Sequence, residues 1–199
     1  RGHYSLNLRR PFCILSSEPS HEVIRHLQDA THDQQTVSTA YISGTPGCGK
    51  TRLGQEFFAT KRDIDGLTFV ATLNTEGIET IATSYITLGK HQGITRYSLK
   101  KLETSRRESP SEKIQYLKLL ILKKVRKFSK WLIIADNVIA LSVVRSFLPQ
   151  TSSEEWGHGQ VLFTTLNGSS IPCNTKHTYH ESFSQGMEED EAVNLLKCI

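Results

Sequence analysis

The sequence predicts an α/β fold in which a five-stranded, mostly parallel sheet carries helices on both faces. Three observations predict it. Apolar stretches of strand length alternate with stretches of helical periodicity. The most apolar of the former, Trp131 to Ala135, contains no charged residue, as a strand buried on both sides requires. A glycine-rich turn, Gly44 to Thr51, joins an apolar strand to a helical pattern.

With 199 residues, 37% apolar and 22% charged, the chain can remove about 70% of its unfolded surface from water and needs no staple. Its 4 cysteines, Cys13, Cys48, Cys173 and Cys198, form no C-x-x-C pair. That excludes a disulfide mini-domain or a zinc knuckle and points to a reducing, cytoplasmic setting. The longest apolar stretch, Trp131 to Val144, is broken by Asp136 and Asn137. It is shorter than the roughly 20 residues of a membrane span, so no membrane partner is expected. The chain starts at Arg1 and stops at Ile199 inside an amphipathic pattern, and is read as a segment of a longer protein.

Taken in order, residues 1–20 read as an entry arm, residues 21–185 as the main domain and residues 186–199 as the start of a following helical subdomain. A short helix is predicted from His21 to Asp29, with Ser20 as its cap. Five strands follow: Val37 to Ser43, Leu67 to Leu73, Trp131 to Ala135, Val161 to Thr165 and His177 to Phe183. Helical patterns occupy Thr51 to Thr60, Ile78 to Leu88, Ser111 to Phe128 and Val138 to Phe147. Between Lys90 and Lys130 there are 13 basic residues against 3 acidic ones. Ile114, Leu117, Leu120, Ile121, Val125 and Phe128 recur there at helical spacing with lysines between them, which describes a solvated helix face; a nucleic-acid partner is therefore not expected.

The sharpest signal is Gly44-Thr45-Pro46-Gly47-Cys48-Gly49-Lys50-Thr51, which satisfies G-x-x-x-x-G-K-[ST] at every fixed position. Glycines let successive backbone N–H groups converge on phosphate oxygens, and the helix that begins here adds favourable partial charge. Lys50 would reach the β and γ phosphates, and the Thr51 hydroxyl would join the shell of a Mg²⁺ ion. Arg52 follows in the first helical turn. Cys48 occupies a slot open to almost any residue and is read as inert.

A second acid must hold the metal across the sheet, and Asp136, at the end of Trp131-Leu132-Ile133-Ile134-Ala135, supplies it. An alternative is that Asp136 caps the helix predicted from Val138. Asn137 stands where many ATPases carry another acid; an amide orients water but cannot take its proton, so slow hydrolysis is expected. Lys50, Asp136 and Asn137 are the candidate catalytic residues. Thr60-Lys61-Arg62-Asp63 matches a guanine-reading motif and Asp63-Ile64-Asp65-Gly66 a switch motif, but the first directly follows the phosphate-loop helix and overlaps the second instead of lying well downstream, and both are taken as accidents.

Taken together, these residues define a P-loop NTPase fold and resemble the nucleotide-binding domain of the NB-ARC family of STAND ATPases. The resemblance rests on the loop Gly44 to Thr51, on Asp136-Asn137, on Trp156-Gly157-His158-Gly159-Gln160 leading into Val161-Leu162-Phe163-Thr164-Thr165, and on the pattern Gly186 to Leu196. It implies that the strand Val161 to Thr165 lies between the phosphate-loop strand and the Asp136 strand, with Thr164 and Thr165 near the γ-phosphate. It also implies ATP or ADP with Mg²⁺, a switch in which nucleotide exchange controls self-association, and effector and sensor-repeat regions outside this segment. Two departures stand out: Leu166-Asn167 replaces the arginine that follows the paired threonines, and no Gly-Arg is found near Pro19, Ser20 and His21. The competing readings are an AAA+-like oligomeric ATPase, with Arg145 to be tested as its arginine finger, and a non-hydrolysing interaction module with a structural or vacant site.

Overall fold

A computed structural model describes residues 25, 37–54, 68–104, 108–150, 154–172 and 178–183. The predicted arm at residues 1–20, the helix from His21 (Arg25 apart) and the pattern at residues 186–199 lie outside them. Five strands, β1 (Val37–Gly44), β2 (Thr68–Asn74), β3 (Lys130–Val138), β4 (Gly159–Thr165) and β5 (Thr178–Phe183), form one sheet in the order β2-β3-β4-β1-β5. Every pairing is parallel. β4 thus separates β1 from β3, the arrangement that the family resemblance implied.

Alternation along each strand divides the core in two. Trp131, Ile133 and Ala135 of β3 join Val161 and Phe163 of β4 and Val37 and Tyr41 of β1 in the larger cluster. Leu132 and Ile134 point the other way, against Leu162, Ala40, Ile42 and Leu53. Both faces are therefore covered by apolar side chains, as the uninterrupted apolar strands predict. The larger face carries α1 (Ile78–His91) and α3 (Pro110–Val125). On the other face the phosphate-loop helix, described over residues 50–54, packs so closely that a Cβ on Gly54 would meet Leu162 at 2.9 Å.

Helix α3 begins where its sequence says it should. Ser109 Oγ accepts from the Glu112 N–H at 3.3 Å, and Glu112 Oε2 accepts in return from the Ser109 N–H at 2.7 Å. The Ser109 N–H, and its hydroxyl at 2.9 Å, both donate to the Glu112 carboxylate and hold its pKa below the ordinary value. Ile114, Leu117, Ile121 and Val125 are fully buried on one stripe, while Lys123, Arg126 and Lys127 are exposed. Half-buried Lys118 donates to the Leu148 carbonyl at 2.9 Å, and burial pushes its ammonium pKa down.

Most elements differ from their expected bounds by one to three residues, and two departures go further. A further helix, α2 (Arg96–Thr104), lies inside the basic stretch; only Leu99 and Leu102 bury apolar surface there, too few for periodicity to register. The helix predicted from Val138 is instead α4 (Leu141–Arg145), because β3 continues through Val138 with an irregular register after Ala135. Asp136 therefore belongs to a strand and caps no helix.

Among the described glycines, Gly159 leaves the least room for a side chain: an added Cβ would lie 1.8 Å from Cε2 of the Trp131 indole. The indole cannot swing away freely, since its N–H donates to the Trp156 carbonyl at 2.7 Å. Gly159→Ala should therefore lower stability by about 1–3 kcal/mol through overpacking, read as a drop in the urea midpoint with an unchanged m-value. An unshifted midpoint would show that the indole yields at no cost.

Candidate phosphate-binding site

The loop from Gly44 to Thr51 leaves the carboxyl end of β1 and becomes helical at residue 50. Gly44, Gly47 and Gly49 have φ of 151°, 82° and 86°, a region that residues with a Cβ avoid. At Gly44 space forbids a side chain as well, because a Cβ would lie 2.5 Å from the Phe183 carbonyl oxygen. The Gly49 carbonyl accepts from the Leu53 N–H at 2.8 Å, which leaves the N–H groups of Lys50, Thr51 and Arg52 at the open end of the helix. Thr45 and Pro46 are exposed on the loop crest; Cys48 and Arg52 are half-buried.

Lys50 folds back over this turn. Its ammonium donates to the Gly44 carbonyl at 2.9 Å and the Thr45 carbonyl at 2.7 Å, with the Cys48 sulfur at 3.5 Å. A positive charge is thus held on the concave side of a loop already rich in N–H donors, which suits an anion with several oxygens. Cys48 has a conformational part in this, lying against both Lys50 and the Gly44 backbone.

Asp136 ties three strands to the loop helix. Its Oδ1 accepts from Thr51 Oγ1 at 2.7 Å and from Thr164 Oγ1 at 2.5 Å. Its backbone carbonyl accepts from both the N–H and the hydroxyl of Thr75, each at 2.8 Å. Thr75 follows β2, is buried, and was not singled out by sequence; nothing distinguishes it until β2 is known to lie beside β3. Because Thr51 donates its hydroxyl hydrogen to Asp136, its oxygen lone pairs remain available to a cation. A hydroxyl and a carboxylate are hard oxygen donors, and one or two of them suffice for Mg²⁺, which retains water and phosphate oxygens as its other ligands. The residues present therefore fit a Mg²⁺–phosphate group. Among the described residues no cluster of three or more His, Cys, Asp or Glu side chains offers another metal site.

Asn137 adopts φ 61°, the left-handed conformation that asparagine tolerates better than most residues. Its N–H donates to Thr164 Oγ1 at 3.1 Å, and its side chain is exposed at the rim. Thr164 and Thr165, paired by the sequence reading, are separated by the strand pleat. Thr164 faces Asp136, whereas buried Thr165 donates to the Val138 carbonyl at 2.8 Å and braces the β3 end. Arg145 is half-buried and lines a small cavity with Tyr41 and Phe163. His177 lies outside the described residues; His180 of β5 is instead 2.8 Å from Ser43 Oγ at the root of the loop.

Fold and loop together define the class: this is a P-loop NTPase fold. Similar solved structures include Cdc6p from Pyrobaculum aerophilum (TM-score 0.62, 13% identity), with 96% of this chain aligned to 51% of that one. The Aeropyrum pernix ORC2 protein in ADPNP–ADP complexes gives a TM-score of 0.55 at 15% identity, covering 97% of this chain and 53% of that one. Drosophila ORC bound to DNA gives 0.55 at 16% identity, covering 89% and 44%. The chain thus spans about half the length of these structures. No protein-family model and no curated protein matches the sequence. The likeness is one of fold, to Cdc6 and ORC proteins, and it supports a P-loop NTPase without singling out the NB-ARC family.

Thr164→Val removes one donor from Asp136 and the acceptor of the Asn137 N–H. A loss of about 1–3 kcal/mol is expected from unpaired polar groups, measured by chemical denaturation; a shift below the error of the fit would show that water replaces the hydroxyl.

Proposed function

We propose that the chain is the nucleotide-binding part of an oligomeric, AAA+-like P-loop ATPase that holds Mg²⁺ with ATP or ADP and hydrolyses it slowly. The observation that carries this reading is the Thr51–Asp136–Thr164 constellation beside a lysine-filled phosphate loop. Loop amides and Lys50 would bind the phosphates, Thr51 and Asp136 would hold the metal, and Asn137 would orient water without accepting its proton. Bound Mg²⁺ would supply charge neutralisation between phosphate oxygens.

Similar structures were solved with ADPNP and ADP and, in one case, with DNA. The sequence-based expectation against nucleic acid draws no support from them, and a DNA partner is part of the AAA+-like reading. Self-association, a following subdomain that starts near residue 186, regions beyond the segment and a cytoplasmic location belong to the same proposal. A second reading, an NB-ARC-type signalling switch, is favoured by Asn137: a site without a strong base keeps its triphosphate long enough for nucleotide identity to set the conformation.

The first test is to denature freshly purified protein and identify released nucleotide by chromatography, then to titrate stripped protein with Mg·ATP. Tightly held ADP or ATP is expected, and Lys50→Ala should weaken binding about 10- to 100-fold, the worth of hydrogen bonds to a charged group. Protein that releases no nucleotide and binds no added Mg·ATP would sink the proposal. Asn137→Asp should raise single-turnover hydrolysis at least about tenfold if a missing base limits the rate; an unchanged rate would assign slow turnover to another step.

A further inference from the structure

Polar residues at the carboxyl edge of the sheet form a row. Leu73 of β2 and Ala135 of β3 face the larger apolar cluster. Asn74 and Asp136, the next residue of each strand, therefore project from the opposite face, where Leu53 of the phosphate-loop helix packs. β2 and β3 are parallel and in register here, with Asn74 opposite Asp136, and neighbouring strands lie about 4.8 Å apart. On the other side of Asp136, Thr164 of β4 shares that face and donates to the carboxyl group. The row reads Thr164, Asp136, Asn74, with Thr51 reaching it from the loop helix.

The two oxygens of Asp136 differ. Thr51 and Thr164 both donate to Oδ1, whereas Oδ2 receives no hydrogen bond from the described residues. Asn74 is the residue on the side away from Thr164, and its position is fixed. Its N–H donates to Ser84 Oγ at 3.1 Å, its Oδ1 accepts from the Glu76 N–H at 3.1 Å, and adjacent Thr75 bonds twice to the Asp136 carbonyl. An amide oxygen has two lone pairs, of which the Glu76 N–H takes one. The exposed Asn74 amide thus keeps an acceptor, on the same face as Asp136 and level with it.

We propose that Asn74 belongs to the outer shell of the Mg²⁺ site: its Oδ1, together with Asp136 Oδ2, accepts hydrogen bonds from water carried by the ion. Mg²⁺ dehydrates reluctantly and keeps several waters. Water on a cation offers its hydrogens, so acceptors are the groups that suit it, and residues that grip it tune metal affinity without touching the metal. Asn74 is a positioning residue. The inference rests on the nucleotide-binding reading above and names a residue through which that site would prefer the magnesium complex to the bare nucleotide.

The test measures by calorimetry how far Mg²⁺ tightens ADPNP, as the affinity of stripped protein with Mg²⁺ divided by that with EDTA, in wild type, Asn74→Ala and Asn74→Asp. Asn74→Ala should lower this ratio about tenfold. Asn74→Asp keeps an acceptor for the Glu76 N–H and adds negative charge beside Asp136, which opposes bare nucleotide and favours the cation; the ratio should rise above that of wild type. A residue that only shapes the turn after β2 would weaken binding equally with and without Mg²⁺. An unchanged ratio in Asn74→Ala therefore overturns the inference, as does a ratio in Asn74→Asp at or below that of wild type, which decides alone if Asn74→Ala does not fold. Wild type that binds ADPNP under neither condition, or Lys50→Ala that binds it as wild type does, brings down the nucleotide-binding reading and this inference with it. Lys50-dependent binding with an unmoved ratio removes the inference alone.

Discussion

The Asp136 carboxylate is the constraint on which the rest of the site depends. A carboxyl group at a half-buried strand end must be hydrogen-bonded, and here its donors come from the loop helix through Thr51 and from β4 through Thr164. Thr75 adds two bonds to the backbone carbonyl of the same residue. One residue therefore sets the mutual positions of β2, β3, β4 and the phosphate-loop helix. The outcome is that the Thr51 and Asp136 oxygens and the lysine-bearing loop are organised by hydrogen bonds within the protein itself.

That organisation is possible because the two sheet faces are packed from opposite sides. Tyr41 stacks on Phe163 with centroids 4.7 Å apart on one face, while Ile42, Leu132, Ile134 and Leu162 meet Leu53 on the other. Parallel strands with both faces buried bring all their carboxyl ends to one edge, where the backbone is released from the ladder. The irregular register after Ala135 occurs at that edge and turns Asn137 to the rim in a left-handed conformation.

Under the proposed function, the arrangement would hold nucleotide better than it turns it over. Anion binding needs donors and charge, and Lys50, the loop amides and the helix start provide both. Hydrolysis needs in addition a group to accept the water's proton, and the exposed amide of Asn137 cannot. Within the proposed function, this combination would suit either an oligomeric ATPase with long dwell times or a signalling switch, which differ in what the nucleotide-bound state assembles with.

The loop from Gly44 to Thr51, the acid at the end of Trp131-Leu132-Ile133-Ile134-Ala135 and the five strands were legible in sequence because each depends on local chemistry. Glycine is needed for positive φ, an unbroken apolar run for burial on both faces, and a polar residue where the strand ends. The resemblance to a known family also anticipated β4 between β1 and β3, although the fold likeness that emerged is to Cdc6 and ORC. What composition and periodicity do not encode is which strands are neighbours and which way the pleat turns a side chain. Thr75 reaches Asp136 only because β2 flanks β3, Ser43 meets His180 only because β1 flanks β5, and Thr164 rather than Thr165 faces the acid because adjacent strand residues point to opposite faces. Such contacts join residues tens of positions apart, and the tertiary structure alone decides them.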